Sequence, residues 1–428
     1  MAARSLRTAS ALALLAVAAA VAPATAAPAR RSAEVVRLDG DPVRGPFASI
    51  GADGIRLEGA AAPIALDEVR VLRWSDAAAG PTAHPPGGAP ADASGTRLLV
   101  VLRGDELLRG RLRTGDDEGL ELEPDGLPPV RIPFEQVRRV ERDGPDRGPC
   151  DEPGRAHLPR PGSDVAWTTA GDAYVGTLAG ADADGVAIEQ GGARRTVRWG
   201  DLVVLHVDEP ALAPAEGLVA EVETSGGTRL VATSVEGDAS TWTVRTRTGL
   251  SVPVPVAAVA AVRWRGGRFV YLSDLPYAST FEPYYADDLL DAKTLERWYG
   301  ARTDRTPSGC PLRVAGVTYR HGVAVHARST LRVALDGAYT RFQAQFGVDD
   351  EALAGAEGSR GDVVARVLVD GREAWTSGGS VRGGDAARVV GPVDLAGAKE
   401  LVLEVGFGGD QHRMDRADWL DPVLVRAR

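Results

Sequence analysis

Three groups of residues have types and spacings that could do chemistry. His321 and His326 stand five apart, Asp349-Asp350-Glu351 ends a strand-like run, and His412, Asp415 and Asp418 crowd the last loop before Trp419. In a strand, a spacing of five puts the two histidines on opposite faces, which argues against one shared metal. Adjacent strand carboxylates also diverge, so they do not flank one glycosidic bond as an acid and base pair must. A hard cation suits Asp349 and Asp350 better, because Ca²⁺ takes carboxylate and carbonyl oxygens from irregular loops. Each group also has a plainer reading, as a hydrogen-bonded structural histidine or a solvated loop. No G-x-S-x-G, H-E-x-x-H or phosphate-cradling glycine loop occurs, so catalysis has no constellation to rest on. The chain reads as non-enzymatic.

A β module must position these groups. Leu331, Val333 and Leu335 alternate with Arg332 and Ala334, the period of a half-buried strand. Asp336-Gly337 supplies a tight turn, and Phe342, Ala344, Phe346 and Val348 alternate in a second strand. Val363, Ala365, Val367 and Val369 then run into Asp370-Gly371, and further strands are expected at Arg388 to Val393 and Leu401 to Val405. A helical turn or two is expected between Asp287 and Trp298. Many short strands with Gly and Asp turns predict an antiparallel β-sandwich over 269–428.

Upstream, 34–74, 97–142, 164–207 and 218–264 look like diverged copies of one unit. Each has a small turn (Gly40-Asp41, Gly104-Asp105, Gly171-Asp172, Gly226-Gly227), later strands and a closing apolar step. In the first three copies a later strand opens on Gly54, Gly119 or Gly185; the fourth copy, with Trp242-Thr243-Val244, is the loosest. Four or five short strands in roughly 45 residues suit a small bent barrel of SH3-like or Sm-like type. The Pro- and Gly-rich stretches 75–96 and 143–163 read as linkers. The expected fold is therefore all-β, small barrel repeats followed by a sandwich.

Composition narrows the function. The net charge is -10 and the pI about 5.3, which argues against nucleic acid, since a basic face is what displaces phosphate counterions. Arg4 and Arg7, an apolar run Ala11 to Val21 and Ala24-Thr25-Ala26 read as a signal peptide over 1–26. No later apolar run is long enough to span a membrane. The expected location is periplasmic, cell-surface or extracellular. Two cysteines exist, Cys150 in a linker and Cys310, and sequence leaves their pairing open.

Five ordered motifs make the last third recognisable: YLSDL at 271–275, GVTYRHGVAVHARSTLRVAL at 316–335, FGVDDE at 346–351, LVDGREAWTSG at 368–378 and DRADWLDP at 415–422. This region resembles the NPCBM family, a carbohydrate-binding module also attached to glycoside hydrolases of family 98. The resemblance implies a galactose-binding-like jelly roll that binds glycans and often carries a structural calcium ion. The family's pattern near its end is Asp-His-Ala-Asp-Trp, and here Arg416 stands where that His falls. A sugar site needs an aromatic face and a few fixed polar groups. The expected contacts are Trp375, Trp419, Tyr319, His326, Asp415 and Asp418, with Trp298 a further platform. The function expected is an exported glycan-binding protein whose repeats act as spacers or interaction modules. Two alternatives are an envelope protein that binds a protein partner, and an accessory subunit of a glycoside hydrolase.

Overall fold

The computed structural model describes residues 31–75, 95–143, 157–213, 215–284, 291–354, 360–409 and 412–427. The stretch read as a signal peptide, Cys150 and most of both expected linkers lie outside the described residues. Every sheet pairing is antiparallel, and the described residues hold one α-helix, Ala292–Tyr299. The expected all-β class holds.

Before residue 266, nineteen strands form one hydrogen-bonded network. It divides into four meanders, Ser32–Arg37 to Val69–Trp74, Arg97–Leu102 to Val137–Arg142, Asp164–Thr168 to Leu202–His206, and Val219–Thr224 to Val259–Arg265. In each, the last strand returns to pair with the first, as Ala33↔Trp74, Leu98↔Arg142, Val165↔His206 and Val219↔Arg265 show. Register breaks recur at equivalent places in the second strand: Phe47/Ser49, Leu112/Thr114, Leu178/Gly180 and Ala232/Ser234. A bulge bends its strand, so the repeated break is what curls each small sheet back on itself.

The recurring glycines now have a cause. A Cβ at Gly54, Gly119 or Gly185 would stand 2.1–2.3 Å from the carbonyl oxygen of Ile64, Ile132 or Val197. Only glycine permits that approach. Asp116 and Asp182 lead into two of these glycines by accepting backbone N–H bonds from the turn, and Asp238 does the same in the fourth unit, before Thr241. The units join through their strands, Leu205↔Val140 between third and second and Val262↔Leu72 between fourth and first.

The C-terminal part has two six-stranded sheets. One holds Arg302–Thr303, Gly322–His326, Arg416–Arg426, Tyr339–Val348 and Arg388–Asp394 in that order, with Phe269–Tyr271 also on Arg416–Arg426. The other runs Ala278–Phe281, Ser329–Ala334, Glu400–Phe407, Asp362–Val369 and Arg372–Thr376, with Val381–Arg382 beside Asp362–Val369. Leu331, Val333, Phe342 and Phe346 face the core between them, as their alternation predicts. Asp336 and Gly337 take φ of +50° and +71°, the left-handed pair that a tight hairpin turn needs.

A seam ties this sandwich to the upstream units. Phe269, Tyr271, Val423 and Val425 pack into the upstream hydrophobic core. Around them Arg320 pairs with Glu223 at 2.7 Å, and Arg341 with Asp39. His321 is buried in the seam, stacked on Tyr271 at 4.0 Å and 3.6 Å from both Glu221 Oε2 and Asp304 Oδ2. At that distance the two carboxylates act as ion-pair partners rather than hydrogen-bond acceptors.

Candidate functional site

The end of the sandwich away from the seam gathers several polar and aromatic groups. His326 closes its strand and faces Arg416, which opens the neighbouring one (His326↔Arg416). Val348, Asp362 and Phe407 end or begin three more strands at the same level. The helix Ala292–Tyr299 lies beside them. Asp291 caps its N-terminus by accepting from Thr294 N–H at 2.9 Å, and Arg302 donates to the carbonyls of Glu296 and Arg297 at its other end. So fixed, the helix turns Trp298 outward, 58 % exposed, and Tyr299 inward.

Tyr299 stacks on Phe281 with ring centroids 4.8 Å apart and meets the His326 ring edge-on at 4.8 Å. Nearby, Tyr284 stacks on His412 at 5.2 Å and sets its edge to Phe407 at 5.0 Å, with Arg328 over the Phe407 ring. Tyr284 is itself 42 % exposed. This end therefore offers open aromatic surface next to a histidine.

The state of that histidine follows from its contacts. His326 Nδ1 lies 2.8 Å from the Ala327 carbonyl oxygen. A carbonyl only accepts, so Nδ1 carries the proton and Nε2 is left with a lone pair. Burial pushes the His326 pKa down to about 4, and the Arg416 charge adds to that. At neutral pH the ring is uncharged, and Nε2 is an acceptor.

The expected sugar platforms are corrected. Trp419 is fully buried, 4.8 Å from Phe346 and 6.3 Å from Trp375. Trp375 lies opposite the buried Val367 and packs against that same core. Trp419 is a core aromatic without an open face, and Trp375 is half-buried against the same core. Tyr319 is half-buried on the outer side of the sheet, donating to Gln345 Oε1 at 3.2 Å, and burial pushes its pKa up to about 12. Asp418 is fully buried, where desolvation and the neighbouring Asp349 hold its carboxyl well above the usual carboxylate range. Asp415 is buried too, accepting from Asp362 N–H at 2.9 Å through its side chain and from Ala327 N–H at 3.0 Å through its carbonyl. It holds the loop that carries His326 and does not reach out.

The calcium expectation fares no better. Asp349 accepts from the N–H groups of Arg313 and Glu351, and Asp350 from those of Ala315 and Gly316. Both carboxylates are committed to fastening the hairpin Leu312–Tyr319 to the sheet. Among the described residues no three His, Cys, Asp or Glu side chains are placed to hold a metal. These residues do not fit a calcium centre. Cys310 is in a disulfide, and the chain's other cysteine, Cys150, lies outside the described residues.

Sequence reasoning missed Phe281, Tyr284 and Tyr299. A signal for Phe281 and Tyr284 was present, since FVYLSDLPYASTFEPYY is dense in rings in a chain with 5 % aromatics, while Tyr299 lies outside that stretch; spacing alone does not say which rings converge.

Residues 270–425 match the NPCBM/NEW2 domain. A Renibacterium salmoninarum protein, provisionally named an endo-alpha-N-acetylgalactosaminidase, is 33 % identical over 117 residues; these cover 27 % of this chain and 7 % of that protein. Among solved structures, the CBM51 module of Clostridium perfringens GH95 in complex with methyl-galactose is 25 % identical (TM-score 0.30), covering 37 % of this chain and 99 % of that one. The CBM51-2 and INT domains of C. perfringens ZmpB, in complex with GlcNAc, are 21 % identical (TM-score 0.31), covering 45 % and 37 %. The NPCBM/NEW2 match takes in both strands that carry His326 and Arg416, and the aromatic segment that packs beside them.

Proposed function

We propose that this chain is an exported, non-catalytic glycan-binding protein. Its NPCBM/NEW2 domain, of galactose-binding-like jelly-roll type, binds a sugar at the His326 end, and four small SH3-like or Sm-like units act as spacers or interaction modules. The observation that carries the reading is the neutral His326 with a fixed acceptor at Nε2, set edge-on to the stacked Phe281 and Tyr299. A sugar needs an apolar ring face and a hydroxyl acceptor held in place, and both stand together there. The exposed rings of Trp298 and Tyr284 extend the platform.

The test uses the full chain. Glycan-array binding, followed by calorimetric titration with methyl-galactoside and GlcNAc, should give saturable binding that Trp298→Ala and Tyr299→Ala weaken while the melting temperature holds. Because the acceptor is lost only when His326 takes a second proton, affinity should stay level from pH 8 to 5 and fall as the pH nears 4. Silence across a broad array from a folded chain would sink this reading in favour of a protein-binding envelope component.

A further inference from the structure

Arg416 shares the exposed end with His326 and is itself held by a second set of contacts. Its Nη1 donates to Glu351 Oε2 and to Ser308 Oγ. The other oxygen of Glu351 accepts from the Thr306 hydroxyl at 2.7 Å. Thr306 is buried and also accepts from Cys310 N–H through Oγ1 at 3.1 Å, so the 306–310 turn is closed on itself. The guanidinium is thus anchored through one nitrogen. Nε and Nη2 have no partner among the described residues, and the side chain keeps 26 % exposure.

We propose that Arg416 is a specificity-determining residue of the glycan site, and that Glu351 and Thr306 are its positioning residues. This rests on the glycan-binding reading above. The free Nε and Nη2 form the flat two-donor edge of the guanidinium, which fixes the direction of two hydrogen bonds at once. Its strand partner His326 offers a lone pair beside it. One group donates and the other accepts, which suits two neighbouring hydroxyls of a sugar ring, one accepting from Arg416 and one donating to His326. Glu351 neutralises the guanidinium, so the edge selects by geometry and favours neutral sugars over uronates or sulfated ones.

The full chain titrated with methyl-galactoside and with GlcNAc tests this. Arg416→Lys keeps the charge and loses the two-donor edge, and should weaken the better of the two sugars by about tenfold. Thr306→Val should weaken it several-fold, and Thr306→Ser, which restores the hydroxyl, should recover it, with melting temperatures unchanged. A purely structural threonine would not show that recovery in affinity alone. Wild-type affinity in Arg416→Lys, or Thr306→Ser as weak as Thr306→Val, overturns the proposal. If Tyr299→Ala abolishes binding while Arg416→Lys does not, the glycan reading stands and this inference alone falls. If the folded wild type binds neither these sugars nor any glycan on an array, both fall.

Discussion

Raising the pH should loosen the seam through one side chain, His321. Burial opposes a charge on its ring, but Asp304 and Glu221 more than offset that cost, and its pKa stands at about 9 against an ordinary 6.5. A tenfold change in proton affinity corresponds to about 1.4 kcal/mol, so the protonated ring contributes roughly 3 kcal/mol. The folded pKa is raised, so this stability is fully present below pH 6.5 and is lost as the pH rises through 9. The charges facing His321 keep their state over that range: burial works against ionisation of Glu221, but the His321 charge outweighs it and holds the carboxyl well below its usual range, while burial pushes the stacked Tyr271 phenol far upward. The chain has only two lysines, Lys293 and Lys399, and Cys310 is in a disulfide, so the main opposing background is the buried His326, whose lowered pKa makes the fold gain stability as the pH rises through 6.5. Urea melts of the full chain at pH 6, 8 and 10, followed by tryptophan fluorescence, should show a midpoint that falls over this range. His321→Gln should begin lower at pH 6 and show no fall between pH 6 and 8, where the His326 contribution makes it rise slightly. A variant as pH-dependent as the wild type would refute the assignment.

Three further outcomes follow from burial. Trp419→Ala should cost about 3–5 kcal/mol and lower the melting temperature sharply, because it empties a fully buried site and removes no exposed sugar platform; an unchanged melting temperature would contradict the placement. Residues 268–428 expressed alone should be less stable than the same region in the full chain, as Phe269, Tyr271, Val423 and Val425 would lose their upstream packing. Equal protection of Phe269–Tyr271 in hydrogen exchange would refute that. Asp418→Asn should raise the melting temperature at pH 7, since it replaces a fully buried carboxyl whose ionisation is opposed by burial and by Asp349.

What was legible in the sequence was whatever has a short period. Leu331/Val333 and Phe342/Phe346 announced their strands, Asp336-Gly337 its turn, and Gly54, Gly119 and Gly185 marked the same contact in three units. His321 and His326 are apart, but along the strand rather than across its faces: His321 precedes Gly322–His326 and is buried against Glu221, while His326 ends it beside Tyr299. The site itself was less legible. Trp375 and Trp419 drew attention as large rings, but a ring's type does not tell how much of it faces solvent; packing on Phe346 buries Trp419 fully and Trp375 by half. The acidic run misled in the same way. Backbone N–H groups from Arg313, Ala315 and Gly316 occupy Asp349 and Asp350, and no side-chain pattern reveals a backbone donor.

One strand carries the relation between the seam and the proposed site. Arg416–Arg426 has 11 residues, which at about 3.3 Å each gives roughly 35 Å from one end to the other. Its last residues, Val423 and Val425, pack into the upstream core, while its first, Arg416, faces His326. Gly322–His326 runs antiparallel beside it, so His321 sits in the seam and His326 at the open end. Docking therefore covers the surface of the sandwich that the proposed glycan site does not use. It also burdens the seam with buried charge: Glu221, Glu223, Arg229 and Arg263 are all desolvated there. Desolvating paired charges often cancels their attraction, so these groups need not add net stability to the seam. What pairs that cross the seam add, such as Arg320 with Glu223 and His321 with Glu221, is a single allowed orientation, because a rotated seam would break both while Arg263 and Arg265 kept their upstream partners. Under the proposed function, the upstream units hold the sugar-binding end in a fixed direction and do not merely tether it.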